Sequence, residues 1–219
     1  MFNLLHVINL GAAADDAPAI AAQLGEAGKA LLGVVTCVAG ATLPHAFNGA
    51  HILWRIGFAT EHDHWAALSS ARWRETIEPH FDRARGVTFD RIAYRSHCSD
   101  TTKRQQTNAV WRCLVLSVDA GTAAGDIAQF EKDLMVMPDH VPAIRSWALA
   151  RVSASTGRRN WTHVWEQEFD DIAGLEVDYM LAPVHWGLVD GWFDPECPQR
   201  IVDPFLIHAA IPIDGAAIA

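Results

Sequence analysis

The chain runs twice through one layout. Residues 1–102 and 103–219 each begin with an apolar strand, Leu4–Leu10 in the first copy and Val110–Leu116 in the second. An amphipathic helix is predicted after each. In the first copy it spans Asp15 to Leu32, with Ile20, Leu24, Ala27 and Leu31 on one apolar face. In the second, Ile127, Phe130, Leu134 and Met137 keep the same schedule, and Pro138 is expected to close the helix. Second strands are placed at Gly33–Gly40 and Ser146–Ser153. The third strands align best. His51–Phe58 lies against Thr162–Phe169, so that Trp54 and Phe58 match Trp165 and Phe169. A second helical region and a last strand, Val87–Tyr94 or Pro204–Ala210, complete each copy. The polar stretch Ser96–Thr107 reads as the linker.

Strand–helix–strand–strand–helix–strand is the ferredoxin-like plan of an α+β fold. Its sheet has one face under two helices and one face bare and apolar. A bare apolar face must be buried, and the tandem copy is the partner at hand. The expected architecture is therefore two ferredoxin-like repeats packed as an intrachain dimeric α/β barrel, with helices outside. Its interior would be a concave apolar hollow, either open to a small ligand or filled by side chains.

Charge and composition remove several classes. Twenty-six acids face 17 bases, for a net charge of −9, the reverse of a nucleic-acid binder. The densest basic pair, Lys103–Arg104, sits in the linker. The longest uncharged run, Ala30–Trp54, is interrupted by Pro44, His45, Asn48 and His51, so its continuous apolar part falls short of the roughly 20 residues a bilayer requires. The first basic residue is Lys29, so no secretory leader is expected, and four scattered cysteines imply neither a disulfide framework nor a metal knuckle. The expectation is a reduced, cytoplasmic protein with no cofactor, no metal, no nucleic-acid partner and no membrane partner. Pairing into a homodimer through an outer strand edge stays open.

Side chains that could carry chemistry cluster in the second copy. In its third strand Trp161, His163, Trp165 and Gln167 share one face and Thr162, Val164, Glu166 and Glu168 the other; alternation alone does not decide which is inner. Tyr179 and His185 stand six apart with Pro183 between them. A phenol can donate to an oxyanion, and an imidazole near neutrality can take and return a proton. Together they suit enolisation, cyclisation or C–C cleavage beside a carbonyl. Four of the nine tryptophans, Trp161, Trp165, Trp186 and Trp192, fall around this pair and suit flat aromatic ligands. His62-Asp63-His64 could offer two metal ligands but has no third partner in the sequence, and it is read as a surface turn. No phosphate-cradling glycine loop and no GxSxG elbow occurs.

Residues 160–190 resemble the stress-responsive dimeric α/β-barrel (Dabb) family, and within it the plant polyketide cyclases. The resemblance rests on Thr162-His163-Val164, then Glu166, Phe169, Ile172, Tyr179, Pro183, His185, Gly187 and Asp190, with one extra residue between Phe169 and Tyr179. It implies that Tyr179 and His185 are the catalytic pair, the histidine as base and the tyrosine as oxyanion stabiliser. It also implies that His163, Trp165 and Gln167 face the cavity. Where the family's first strand often presents a histidine, the first copy has His6 and the second Arg112. At the positions of the catalytic pair the first copy has Leu68 or Ser69 and Arg74. The first repeat is thus read as structural and the second as active, with Arg112 either a cation for an anionic substrate group or a solvated residue. The expected function is a cofactor-independent cyclase, lyase or isomerase on a small hydrophobic carbonyl or phenolic compound. His163, Trp165, Gln167, Arg112 and Trp186 would bind that substrate. The alternatives are a non-catalytic binder of small ligands and a haem-binding monooxygenase-like barrel.

Overall fold

The computed structural model describes residues 1–44, 46–96, 98–101 and 109–218. The first repeat comprises β1 (Phe2–Asn9), α1 (Ala17–Lys29), β2 (Val34–Ala41), β3 (Ile52–Phe58), α2 (Glu61–Leu68) and β4 (Thr88–Arg95). A short strand, β5 (Cys98–Thr101), follows. The second repeat comprises β6 (Ala109–Leu116), α3 (Ala124–His140), β7 (Ile144–Thr156), β8 (His163–Phe169) and β9 (Ile207–Ile213). In place of a regular second helix it carries wide or tight helical turns at Gly174–Tyr179, His185–Val189 and Asp190–Trp192. Strand order is β2-β3-β1-β4-β7-β8-β6-β9, so the ferredoxin-like order 2-3-1-4 occurs twice and the copies join at β4 and β7.

Three local expectations need correction. Part of the expected linker is strand β5, which pairs with Leu149–Ser146 of β7; residues 102–107 lie outside the described residues. Pro138 does not close α3, which runs to His140, because the Val141 N–H still bonds the Met137 carbonyl at 3.0 Å and holds the last turn. The last strand of the second repeat begins at Ile207, not Pro204, which changes what is read from its alternation.

Strand alternation sorts the core into three layers. Leu5, Val7, Leu53, Ile92 and Tyr94 of the first repeat pack with Trp111, Cys113, Val115, Val164 and Ile211 of the second, with no helix between. This is the barrel interior. The opposite strand faces meet the helices: Leu4, Trp54 and Phe58 beside α1 in the first repeat, Leu114, Trp165 and Phe169 beside α3 in the second.

Two seams close the barrel. At one, β4 pairs with β7, and buried Asp90 of β4 accepts from the Arg158 N–H and Nε at 2.7 Å and from Trp161 Nε1 at 3.1 Å. The intervening Gly157 has φ +134°, and a Cβ there would overlap the Asp90 carboxylate. At the other seam the segment after β2 reaches β9. The Leu43 N–H donates to the Ala210 carbonyl at 2.8 Å, and Phe47 and His208 exchange both backbone hydrogen bonds at 2.8 and 3.0 Å.

The interior is not a ligand hollow. Ala217 and Ile218 are buried in it, and their N–H groups donate to Glu168 Oε1 at 2.6 and 2.8 Å. Beside them Arg55 Nε of β3 donates to Glu166 Oε1 of β8 at 2.7 Å, and Arg55 Nη1 to the Ala217 carbonyl at 2.6 Å. Both side chains are buried. Burial pushes the Glu166 carboxyl above its ordinary value despite the guanidinium beside it. Burial costs both charges their hydration, and for such a pair the loss of one member is worse than the loss of both. Arg55→Met alone should lower stability by about 3–5 kcal/mol, since Glu166 is left buried and unpaired. Met at both 55 and 166 should recover most of that loss in urea unfolding. A double variant as unstable as the single one would show the pair to be a net stabiliser.

Candidate functional site

The space between sheet and helices differs between the repeats. Cross-strand register sets His6 opposite Trp54 and Leu114 opposite Trp165, so His6 corresponds to Leu114, and Leu4 corresponds to Arg112. The sequence matching of His6 with Arg112 is thereby corrected by one step of the strand alternation. In the first repeat His6 is buried among Trp54, Trp73 and Phe81, with ring centroids 4.9 to 6.0 Å apart. Its Nε2 accepts from Arg91 Nε at 3.0 Å. Burial first, then the Arg91 charge, holds the imidazole neutral. Aromatic rings fill this half.

In the second repeat the corresponding region holds a cavity of about 210 Å³, bordered by Arg112, Leu114, Tyr179, His185, Asp190 and His208 among others. Pro183 separates two wide helical turns, and the connection between them folds back through Ala182 N–H to the Tyr179 carbonyl (3.3 Å) and His185 N–H to the Ala182 carbonyl (2.9 Å). That fold-back sets the Tyr179 and His185 rings edge to face at 4.9 Å. Phe169 packs on the Tyr179 ring from the sheet at 5.6 Å. The Arg112 guanidinium carbon stands 5.0 Å from the centre of the same ring. Phe47, carried by the closing seam, brings the first repeat to the cavity wall. A larger cleft of about 410 Å³, lined by Leu43, Pro44, Ala46, Ile172 and Leu175, shares Met180 and His208 with it.

One cation and two neutral imidazoles set the electrostatics. Arg112 comes from β6, is buried, and donates Nη1 to Gln167 Oε1 at 2.6 Å. Burial, then the Arg112 charge, pulls His185 below the usual histidine value against the opposing pull of Asp190. Burial, Arg112 and His185 together lower His208 to about 3. Both rings are therefore neutral at pH 7 and able to accept a proton. Among the described residues no group of three His, Cys, Asp or Glu side chains is placed to hold a metal ion.

The structure brings Tyr179, His185 and Arg112 to one cavity but not the other expected residues. His163 does face the helical layer, yet its Nε2 lies 3.2 Å from Glu131 Oε1 and its Nδ1 2.8 Å from Thr162 Oγ1. Glu131 in turn takes a two-pronged ion pair from Arg151 at 2.6 and 2.8 Å, so His163 belongs to a bonded network under α3. Trp165 is fully buried against Trp147. Gln167 holds Arg112 instead of bordering the space. Trp186 is half exposed, with its Nε1 donating to the Met180 carbonyl at 2.6 Å, and forms no cavity wall. His64 is not on a surface turn: it lies in α2 against Phe2 and Phe58, and burial lowers it to about 4. His208 was missed as a site residue. Ile207, Ile211 and Ile213 point into the barrel, so the intervening His208 must face the helical side; ending the strand at Ala210 hid that alternation.

With this geometry in hand the chain can be compared with known proteins. Residues 110–204 match the family described as Stress responsive A/B Barrel Domain (Dabb). The match falls within the second repeat, which is thus similar to Dabb domains. No curated protein matches the chain in sequence. Solved structures of the same fold include an anthrone oxidase-like protein at 10% identity and TM-score 0.65, covering 96% of this chain and 90% of that one. A proposed monooxygenase from Fusobacterium nucleatum aligns at 10% identity and TM-score 0.61, with coverage of 96% and 90%. The structure called a major regulator of staphylococcal pathogenesis aligns at 10% identity and TM-score 0.52, over 97% of this chain and 100% of that one. At such identities the likeness is one of fold alone, and it spans both repeats of this chain. No helix among the described residues is long and apolar enough to cross a membrane.

The field of Arg112 can be measured directly. In ring-proton NMR, His208 should remain neutral from pH 8 down to pH 5, and His185 should titrate below the ordinary value of about 6.5. Arg112→Gln should raise both midpoints. Midpoints unmoved by that change would remove Arg112 as their cause.

Proposed function

We propose that the second repeat is a cofactor-independent acid/base catalyst acting beside the carbonyl of a small hydrophobic compound, in the manner of a cyclase, lyase or isomerase. The observation that carries this reading is the Tyr179–His185 ring contact at the wall of one cavity. His185 Nδ1 is buried without a hydrogen-bond partner, and its Nε2 has none among the described residues. A neutral imidazole in that state is free to take a proton from carbon and return it. The Tyr179 hydroxyl makes no hydrogen bond to a described residue, so it can donate to the carbonyl oxygen as that oxygen gains negative charge. The edge-to-face contact keeps the donor and the base on one side of the space, and an apolar wall of Leu114, Leu134 and Val189 strengthens both interactions.

The same pair fits aldol-type ring closure and isomerisation, which begin with proton removal from the carbon next to a carbonyl, and aldol reversal, in which the base takes the hydroxyl proton, the C–C bond breaks to an enolate and the proton is returned to that carbon. The resemblance to polyketide cyclases supports the first. His163, expected at the pocket, takes no part in this mechanism, since its ring is committed to Glu131 and Thr162.

Wash-in of solvent deuterium next to the carbonyl of phenylacetone, followed by proton NMR, tests the proton-transfer step without a known substrate. Enzyme-dependent exchange is expected. His185→Ala should reduce it by about 10²–10⁴-fold, and Tyr179→Phe by about 10²–10³-fold, with circular dichroism unchanged. The neutral imidazole is the active form and its pKa is depressed, so exchange should hold as pH falls through 6.5 and decline only below it. Exchange that survives His185→Ala would remove the mechanism.

A further inference from the structure

One charge at the cavity wall has no ion-pair partner among the described residues. Arg112 is 4% exposed, yet no carboxylate among the described residues forms an ion pair with it. Among the described residues its one hydrogen bond runs from Nη1 to the neutral amide oxygen of Gln167. Its Nε is buried with no partner, and Nη2 has none among the described residues. By contrast, the other buried arginines among the described residues are matched: Arg55 by Glu166 and Arg145 by Asp170. Asp190 borders the cavity but forms no ion pair with the guanidinium, and His185, His208 and Tyr179 bring no negative charge to it. A guanidinium stays ionised under all these conditions. Holding one in a largely apolar space without a counter-ion is costly, and the cost is relieved when an anion binds.

Resting on the proposed acid/base reading of this site, we propose that its substrate is a small carboxylate, drawn to the Arg112 guanidinium at the cavity wall. A carboxylate brings the guanidinium a full counter-charge, which a neutral carbonyl does not. Gln167 holds Nη1 and so fixes the guanidinium in place. The remainder of the ligand is apolar and about the size of a single ring, since Leu114, Leu134, Val189 and Phe193 line a space of about 210 Å³. The Tyr179 ring touches both groups, 5.0 Å from the guanidinium carbon and 4.9 Å from the His185 ring, so an anion at Arg112 has its neighbouring carbon within the same small space as the imidazole.

Calorimetric titration of the full chain with benzoate and hexanoate, each against its neutral amide (benzamide, hexanamide), tests this. Each carboxylate should bind roughly tenfold or more tighter than its amide, the weight of a charge-assisted contact. Arg112→Gln should abolish that preference, and Arg112→Lys should restore only part of it. Amides that bind as well as carboxylates in the wild-type chain overturn the proposal, and this comparison does not depend on any variant folding. So does an Arg112→Gln protein that keeps the preference. Deuterium exchange with no carboxylate preference would sink the anion site alone; carboxylate preference with no exchange would sink the catalytic reading alone.

Discussion

Each half-sheet has one face without helices, and only the other half-sheet is available to bury it. That constraint organises the molecule. Interior side chains from both repeats meet in a single packed layer, and the last described residues are drawn into it through Glu168 and Arg55. Once the interior is filled, space for a small molecule can persist only on the other side of the sheet, under the helices. Thus the packing that makes two repeats into one barrel also sets the candidate site away from the barrel axis.

The two outer layers then diverge through a few residues. Where the first repeat places His6 among Trp54, Trp73 and Phe81, the second has Leu114 and leaves a gap. Where the first has Leu4, the second has Arg112. The regular helix α2 is replaced by wide turns interrupted at Pro183, which carry Tyr179 and His185 inward instead of laying them along a helix surface. One half is closed by aromatic packing, and the other is kept open around a charge.

Much of the architecture was legible in the sequence. The apolar spacing of α1 and α3 and the Trp–Phe match of β3 with β8 were enough to reveal the duplication, and each is a local pattern. The pairing of Tyr179 with His185 followed from a resemblance and from spacing across a proline. What sequence could not supply was the side of the sheet on which a polar residue is satisfied. His163, Trp165 and Gln167 do share the face opposite Glu166, as alternation requires. Which of them reaches open space depends on Glu131 and Trp147, partners far away along the chain. Alternation alone could not place Glu166 and Glu168 in the interior, because their partners Arg55 and the backbone of Ala217 and Ile218 are brought to them only by the closed barrel. His208 was hidden for a different reason: a strand boundary set three residues early concealed its alternation with Ile207 and Ile211.

The segment that links β2 to β3 in the first repeat both bonds to β9 and supplies Phe47 to the second repeat's cavity. In an assembly of two identical chains, any such loan of a residue would be returned, and both pockets would carry the same rim. Joined in one polypeptide, the loan is one-way. The helper half can trade its own hollow for rigidity and specialise as a wall, while the receiving half changes its lining without disturbing a twin.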